Sequence, residues 1–548
     1  MKGCPFWYNV FMTSKQLNQS NYKPIQGFLQ FIASNFPGED CLSDPIADLV
    51  DDFVEQLDFN QFPSFREWPA KRYPISSLLS VWLLGTALNG YCSIRKLADL
   101  CRHDLRFLKY FQISTPSHQT LYNFQQQCLL PAQKEIFRHL NLYIEQKDSA
   151  LDTETLFLDG TKLEANANKM TFVWSKSTAK YKASAWRQII ELTRKINGWL
   201  ISHGDSHRIS ILAQPNPEWL FETEAFLVSL EEKYQVRIVT GKGKRKHQLQ
   251  RFHDKFAELG MKLFKYHVYE ELADGRNSFS KSDPDATFMH MKYDYYNHTN
   301  VFKPGYNVQV GSSSGYIRVV HVSQKCNDVH DFIPAVEKYA DLYCSYPRRV
   351  PADAGYGSYD NYSYCREHGI ELMMKYPGQQ KEQKITEKTK FRSWAFSKTE
   401  EGIPICPAGH VMNLERTTYS KHGLYPREIC FYGSEYCADC PLRTQCTKSR
   451  NGRKIQICHK HEEFKQEVRM NMSSEEGQSI MISRSIQAEG VFGDMKNNFD
   501  YDRLKRRGLN NAEFELLMVA CGHNLRKLSA RLSMAAEDLT NYGRRILH

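Results

Sequence analysis

A hairpin signature followed by alternating helix and strand patterns constrains the fold of this chain more than any other feature. Residues 306–311 alternate apolar and polar side chains, the sequence SSSG supplies a turn, and residues 316–323 return as the partner strand. Further along, helical patterns alternate with two short strands, one ending at Asp353 and one over residues 371–375. This order predicts an α/β fold with a mixed sheet.

The chain before residue 150 has a helical pattern instead. Apolar side chains recur at three- and four-residue steps between residues 65 and 130, so we expect an all-helical N-terminal domain over residues 1–150. One helix begins near Ser117 and presents His118 and Gln119, which suit contacts with DNA base edges or phosphates. An ordinary helical bundle with solvated faces explains the same pattern.

Two insertions are expected within a core that spans residues 151–530. Residues 165–300 are mostly helical and polar, and residues 400–460 are rich in cysteine and charge. The remaining residues, 531–548, are predicted to be a C-terminal tail. The helical insertion carries a basic run that is either a solvated face or a surface for DNA phosphates; its centre is Lys244, Arg245 and Lys246.

Charge and cysteine content narrow the class of protein. The net charge of +10 over 548 residues permits a nucleic-acid partner without requiring one. The sequence contains neither a secretory signal pattern nor an apolar run of ~20 residues, the length that a membrane span needs. An odd number of cysteines, 15, argues against a secreted disulfide scaffold. We therefore expect a soluble cytoplasmic protein with no membrane partner.

Acidic residues in three places suggest catalytic chemistry. Asp159 and Asp353 each follow a short apolar strand pattern and precede a small residue, and ligands of α/β proteins bind at such strand ends. A lone aspartate there is more often a turn former or a helix cap, so the pair carries more weight than either residue. Glu489 and Lys496 are two helical turns apart and share one helix face, although a solvated glutamate and lysine on an exposed face is the default explanation of that spacing taken alone.

The cysteine-rich insertion has the spacing of a structural zinc site. Cys437 and Cys440 form a Cys-x-x-Cys pair, Cys446 follows six residues later, and Cys406 is a distant fourth. His410 is a possible substitute ligand. Unligated cysteines are the alternative.

Four ordered sequence blocks identify a resemblance to a known family. LFLDGTKLEANANK, KPGYNVQVG, PADAGYGSYDNY and RSIQAEGVFGDMK resemble the signature blocks of bacterial insertion-sequence transposases of the Asp-Asp-Glu (DDE) type. The resemblance implies a ribonuclease-H-like mixed-sheet core, with Asp159 on the first strand, Asp353 on the fourth and Glu489 on a late helix. Three carboxylates supply hard oxygen ligands, which suit two Mg²⁺ or Mn²⁺ ions bound together with substrate phosphate.

The resemblance also implies DNA contacts. Lys496 matches a family lysine seven residues after the glutamate, where it would touch DNA phosphate. Relatives place a tyrosine and an arginine seven and four residues before the glutamate; here these positions are Ile482 and Ser485, with Arg484 adjacent. A basic cluster between the last two helices is also assigned to DNA, and it comprises Arg503, Lys505, Arg506 and Arg507.

The implied function is a DNA transposase of the bacterial cytoplasm, associated with the nucleoid. It would bind double-stranded DNA at the ends of an insertion sequence, cleave it with Mg²⁺ and join it to target DNA, as a homodimer or larger complex. Two alternatives remain open at this stage. One is a related metal-dependent nuclease that does not join strands, and the other is a catalytically inactive DNA-binding protein derived from a transposase.

Overall fold

The computed structural model describes residues 44–68, 73–111, 114–241, 243–291, 301–387, 389–494 and 501–546. At residues 488, 489 and 536–546 it describes the backbone alone. The principal helices are α1 (Pro45–Glu55), α2 (Ile75–Asn89), α3 (Ile94–His103), α4 (His118–Phe124), α5 (Leu130–Lys147), α6 (Ser175–Ser202), α7 (Pro217–Lys233), α8 (Gln248–Ala273), α9 (Phe332–Tyr343), α10 (Tyr359–Glu367), α11 (His459–Ser473), α12 (Glu475–Gly493) and α13 (Leu509–Ile546). The strands are β1 (Phe157–Glu164), β2 (Phe172–Trp174), β3 (Ser278–Ser280), β4 (Thr287–His290), β5 (Phe302–Ser313), β6 (Tyr316–Ser323), β7 (Asn413–Ser420), β8 (Arg427–Gly433) and β9 (Ile455–Ile457).

The helical N-terminal region is confirmed for the described residues from 44 to 147. Helix α2 begins after Pro74, and its residues 78–87 are all buried. The predicted cap of α4 is present, since the Ser117 hydroxyl accepts a hydrogen bond from the Thr120 backbone N–H at 3.2 Å. Among the described residues no single helix is long and apolar enough to cross a membrane, although α2 and α3, bent by 100°, would pass as a pair by length and composition.

The central sheet is antiparallel at one edge, as the hairpin pattern predicts. Strand β5 pairs with β6 through the turn, and on its other side it pairs with β1 over the whole length of β1. Strand β4 also pairs with β5, over residues 302–305. Because this pairing continues to Glu164, β1 runs five residues beyond Asp159 and does not end there as the sequence pattern indicated.

Parallel chain segments extend the sheet beyond β1. Backbone N–H groups of Leu156 and Leu158 donate to the carbonyls of Arg349 and Pro351, at 3.0 and 3.1 Å. The segment around residue 350 in turn pairs in parallel with residues 371–374. These two segments make isolated bridges, so the two continuous strands expected there are not formed. The sheet is mixed, in the order β6, β5, β1, residues 349–352 and residues 371–374.

One hydrophobic core runs through most of the described chain. It contains side chains of the N-terminal helices, of the central sheet and of α13, which packs against α2, α5 and β6. The predicted N-terminal domain therefore shares its core with the sheet. Residues 531–546 continue α13 as helix, so the expected C-terminal tail is not a separate element.

The two expected insertions have small cores of their own. Helices α6, α7 and α8 pack around a separate apolar cluster that includes Ile189, Leu227 and Leu263. In the cysteine-rich region, β7, β8 and β9 form a three-stranded antiparallel sheet over a cluster that includes Met412 and Tyr432. Helices α11 and α12 then return the chain to the central sheet, where α12 packs against β1 and β5.

Candidate active site

Asp159, within β1, and Asp353 lie on neighbouring segments at the edge where the parallel pairing of those two segments ends. Leu158 bonds in parallel to Pro351, so Asp159 and Asp353 follow that pairing directly in their two segments. Ligands of α/β proteins bind outside the carboxyl ends of such parallel segments. The Asp353 carboxylate is fixed locally, because its Oδ1 accepts a hydrogen bond from the Gly355 N–H at 2.7 Å. The structure thus brings together two of the three predicted acidic residues.

Asp328 is a third carboxylate at this place, and the sequence analysis did not assign it. It begins a short 3₁₀ turn after β6, and its Oδ2 lies 3.8 Å from the position that a Cβ on Gly355 would take. Its Oδ1 accepts hydrogen bonds from Asn307 Nδ2 at 2.7 Å and from Gln309 Nε2 at 3.1 Å. The sequence signal that could have pointed to Asp328 is the pair of amides at alternate positions of β5, Asn307 and Gln309. Alternate residues of a strand lie on one face of a sheet, so the two amides can bind the same carboxylate.

The electrostatics of the site reflect crowded negative charge. Burial raises the pKa of Asp159, while the Gly160 N–H and Arg484 lower it and Asp353 and Asp328 raise it again. The net pKa of Asp159 is above its ordinary value. A nearby cation would stabilise the ionised form of carboxylates that are crowded together in this way.

Helix α12 carries the third predicted acidic residue beside this edge. The helix packs against β1 and β5, and Glu489 lies in it one turn before its end. The Glu489 side chain and the whole of Lys496 lie outside what the structure describes. Their predicted places in the site therefore stay predictions.

Arg484, one of the predicted DNA contacts, lies next to Asp159. Its Nη1 is 3.9 Å from Asp159 Oδ1, and its side chain is 19% exposed. Among the described residues, the buried Nε and Nη1 of Arg484 have no hydrogen-bond partner. A guanidinium with unpaired donors can bind an anionic group.

The side chains of the predicted basic cluster between α12 and α13 hydrogen-bond to other parts of the same chain. Arg503 donates to the backbone carbonyls of Ala165 and Ala167, at 3.3 and 3.1 Å. Lys505 donates to the Tyr91 carbonyl. Arg506 and Arg507 donate to Asn511 Oδ1 and to the Asn166 carbonyl, each at 2.7 Å. These side chains join the N-terminal helices, the end of β1 and α13, so DNA binding by them remains only a prediction.

The remaining predicted DNA contacts that the structure describes are far apart in the chain, and all but the half-buried Lys246 are exposed. His118 and Gln119 lie in the first turn of α4, where Gln119 Nε2 donates to Asn123 Oδ1 at 2.9 Å. Lys244 and Arg245 are exposed in the segment before α8. Lys246, in the same segment, pairs with Asp254 at 2.7 Å. Nothing in this arrangement tests DNA contact.

The four predicted zinc ligands surround one small cavity. Cys406, Cys437, Cys440 and Cys446 all line it. Burial raises the pKa of Cys446, Arg453 lowers it, and the three other thiols raise it. In the described ranges, however, no group of three or more His, Cys, Asp or Glu side chains is arranged to hold a metal ion. The four thiols therefore share a cavity without forming a ligand set, and zinc is not supported.

An arginine cross-links the loops that carry these cysteines. The Arg443 guanidinium donates to the carbonyls of Cys437 and Ala438 at 3.2 Å and to that of Arg450 at 2.8 Å. These hydrogen bonds hold the two loops together.

The donor chemistry of the acidic site fits a hard divalent cation. Asp159 and Asp353 offer carboxylate oxygens, which Mg²⁺ and Mn²⁺ prefer. Among the described residues, no three such side chains, Asp328 included, are arranged as a ligand group. The third ligand predicted from the sequence, Glu489, belongs to the helix that packs against β1.

Comparison with known proteins gives one match. Residues 405–529 match the family model described as "Transposase DDE domain". The match supports a DDE-type transposase. It covers less than a quarter of the 548 residues, includes Glu489 and the cysteine-rich sheet, and stops short of Asp159 and Asp353. No curated protein and no solved structure matches the chain.

Proposed function

We propose that this chain is a DNA transposase that cleaves DNA at the ends of an insertion sequence and joins it to target DNA. The observation that carries the proposal is the convergence of Asp159 and Asp353 on neighbouring parallel segments, beside the helix that holds Glu489. That helix lies within the residues that match the transposase DDE domain. The order of the sheet segments is the one expected of a ribonuclease-H-like core.

In the proposed reaction the three acidic residues hold divalent ions. Asp159, Asp353 and Glu489 would bind two Mg²⁺ or Mn²⁺ ions together with substrate phosphate. Bound there, the ions would activate the attacking oxygen and stabilise the leaving one. Arg484 would exchange its contact with Asp159 for a DNA phosphate, and Lys496 would hold phosphate near the cut.

The test uses the full chain with double-stranded DNA from the flanks of its own gene. We expect Mg²⁺-dependent cutting at the element ends, followed by joined products. Asp353→Asn should lower cleavage about 100-fold or more, the scale expected for loss of one electrostatic group at a reacting centre. Asp341→Asn, at an exposed position in α9, is the matched control and should cleave like the unmodified protein. Undiminished cleavage by Asp353→Asn would contradict the proposal.

The same assay separates the two alternatives. Cut products without joined products would indicate a nuclease, because strand joining is the step that a nuclease lacks. DNA binding without cutting at any Mg²⁺ or Mn²⁺ concentration would indicate an inactive descendant. Mixing chains of two lengths and sizing the complexes formed on DNA tests the expected dimer or larger assembly.

Structural zinc in the cysteine-rich sheet stays a prediction from cysteine spacing. Metal analysis of the purified chain tests it directly. About one zinc per chain, lost in Cys437→Ser, would establish the site, whereas less than a tenth of that amount would remove it.

A further inference from the structure

Three polar side chains are buried directly beneath the acidic site. Asn307 and Gln309, on β5, are fully buried, and Tyr356 is 1% exposed. Burying polar groups costs free energy unless they are hydrogen-bonded, so such groups in a core strand call for a reason. The valines between and beside the amides, Val308 and Val310, are buried as well.

These side chains form a continuous line of hydrogen bonds. The Tyr356 hydroxyl donates to Gln309 Oε1, and Gln309 Nε2 donates to Asp328 Oδ1 at 3.1 Å. Asn307 Nδ2 donates to the same oxygen at 2.7 Å and to Asp331 Oδ2 at 3.0 Å. Both ends of the Gln309 amide are used, so its orientation is fixed.

The line touches both segments that carry the catalytic aspartates. Gln309 lies opposite Gly160 in the pairing of β1 with β5, next to Asp159. A Cβ at Gly160 would lie 2.8 Å from Gln309 Oε1 and 3.0 Å from the Tyr356 hydroxyl, so this close approach requires glycine. Tyr356 itself lies three residues after Asp353, in the same loop.

We propose that Tyr356 and Gln309 are positioning residues, which set the separation of Asp159 and Asp353 and thereby the affinity of the site for its divalent ion. The inference rests on the proposed function, which makes Asp159 and Asp353 ligands of that ion. In this proposal neither residue touches substrate. Groups that orient metal ligands from behind change metal affinity or activity by about 10–100-fold when they are replaced.

The Tyr356 hydroxyl is suited to donate its hydrogen bond to Gln309 at all times. Burial and the charges of Asp328, Asp159, Asp353 and Asp331 hold the pKa of Tyr356 well above its ordinary value. The phenol therefore stays protonated at any working pH, and the direction of the hydrogen bonds from Tyr356 to Asp328 does not change.

The deciding experiment compares two buried tyrosines. Tyr356→Phe removes only the donor to Gln309. Tyr316→Phe is the matched control, because Tyr316 on β6 is equally buried and donates to Asp148 Oδ2 at 2.8 Å, a carboxylate outside the acidic site. Mn²⁺ binding is measured by electron paramagnetic resonance without DNA, and the Mg²⁺ concentration for half-maximal cleavage is measured with DNA.

We expect Tyr356→Phe to weaken Mn²⁺ binding about tenfold and to raise the Mg²⁺ requirement by the same factor, with cleavage at saturating Mg²⁺ nearly restored. Tyr316→Phe should stay within about twofold of the unmodified protein in both. If Tyr356→Phe does not fold, Gln309→Met interrupts the same line and should give the same shift. Unchanged Mn²⁺ affinity in Tyr356→Phe, or equal losses in both tyrosine variants, would overturn the proposal.

The proposed function can fail separately. If the unmodified chain binds Mn²⁺ but cuts no DNA, the transposase proposal fails. The positioning proposal then stands or falls on the Mn²⁺ titration alone.

Discussion

At the scale of single residues, the account depends on how closely β1, β5 and the Asp353 loop approach one another. Gly160 offers a direct test of this close approach, because the absence of a side chain there makes room for Gln309 and Tyr356. A methyl group there would have to displace a buried amide or a buried phenol. Packed interiors absorb such insertions poorly.

Gly160→Ala is therefore expected to destabilise the chain by about 1–3 kcal/mol and to lower metal-dependent cleavage. Gly198→Ala is the control, since a Cβ on Gly198 in α6 would meet no atom within 4 Å. That substitution should stabilise the chain by up to about 1 kcal/mol, because alanine favours helix over glycine. Urea unfolding of both variants measures the difference, and equal effects would contradict the packing described for β1.

At the scale of elements, an ion pair joins α11 to the chain segment just before the cysteine-rich region. Glu462 on α11 forms ion pairs with Lys398 at 2.6 Å and with Lys465, also on α11, at 2.9 Å. Burial alone would raise the pKa of Glu462, but the hydrogen bonds from Lys398 and Lys465 lower it to about 2. A carboxyl whose pKa is lower in the folded state stabilises the fold at pH values above its unfolded pKa, and that contribution is lost as the pH falls through the folded value.

Glu462→Gln should therefore cost about 1–2 kcal/mol at pH 7, after allowance for solvent screening of a side chain that is one-third exposed. The cost should shrink between pH 4.5 and pH 2, because the unmodified protein loses the same charge there. Urea unfolding at pH 7 and pH 3 measures it. Glu463→Gln, at an exposed neighbouring position, should show no such pH dependence, and a pH-independent cost in Glu462→Gln would contradict the assignment.

At the scale of the whole molecule, helix α13 joins parts that are distant in sequence. Arg526 donates to the Ala87 carbonyl of α2 at 2.8 Å and to Asp494, at the end of α12, at 2.6 Å. His523 contacts Asp494 at 2.7 Å and the Gly315 carbonyl in the β5–β6 turn at 2.9 Å. The last helix thus fixes the end of the helix that carries Glu489 against the sheet and the N-terminal helices.

The separate core of α6, α7 and α8 predicts two stages of unfolding. Leu263→Ala in that core and Leu525→Ala in the main core each remove a buried side chain and should cost about 2–5 kcal/mol. We expect calorimetry to resolve two transitions, with each variant lowering a different one, because the two apolar clusters are not continuous. A single transition lowered by both variants would show that the insertion unfolds with the core.

The sequence predicted the mixed sheet, the β5–β6 hairpin and the helices α9 and α10, because strand alternation and helical periodicity are local signals. It missed the extension of β1 past Asp159, which depends on pairing with β5 across the helical insertion. It also missed Asp328, Gln309 and Tyr356. Their role at the site depends on contacts between segments far apart in sequence, and no spacing rule encodes those contacts.

The central claim is that Asp159, Asp353 and Glu489 meet around the same divalent ions. Iron-mediated cleavage of the chain tests it most directly: Fe²⁺ replaces Mg²⁺ at the site, and ascorbate with peroxide then cuts the backbone near the bound ion. We predict cuts near residues 159, 353 and 489 together, all suppressed by excess Mg²⁺ and all lost in Asp353→Asn. Cuts near the two aspartates without a cut near residue 489 would contradict the account.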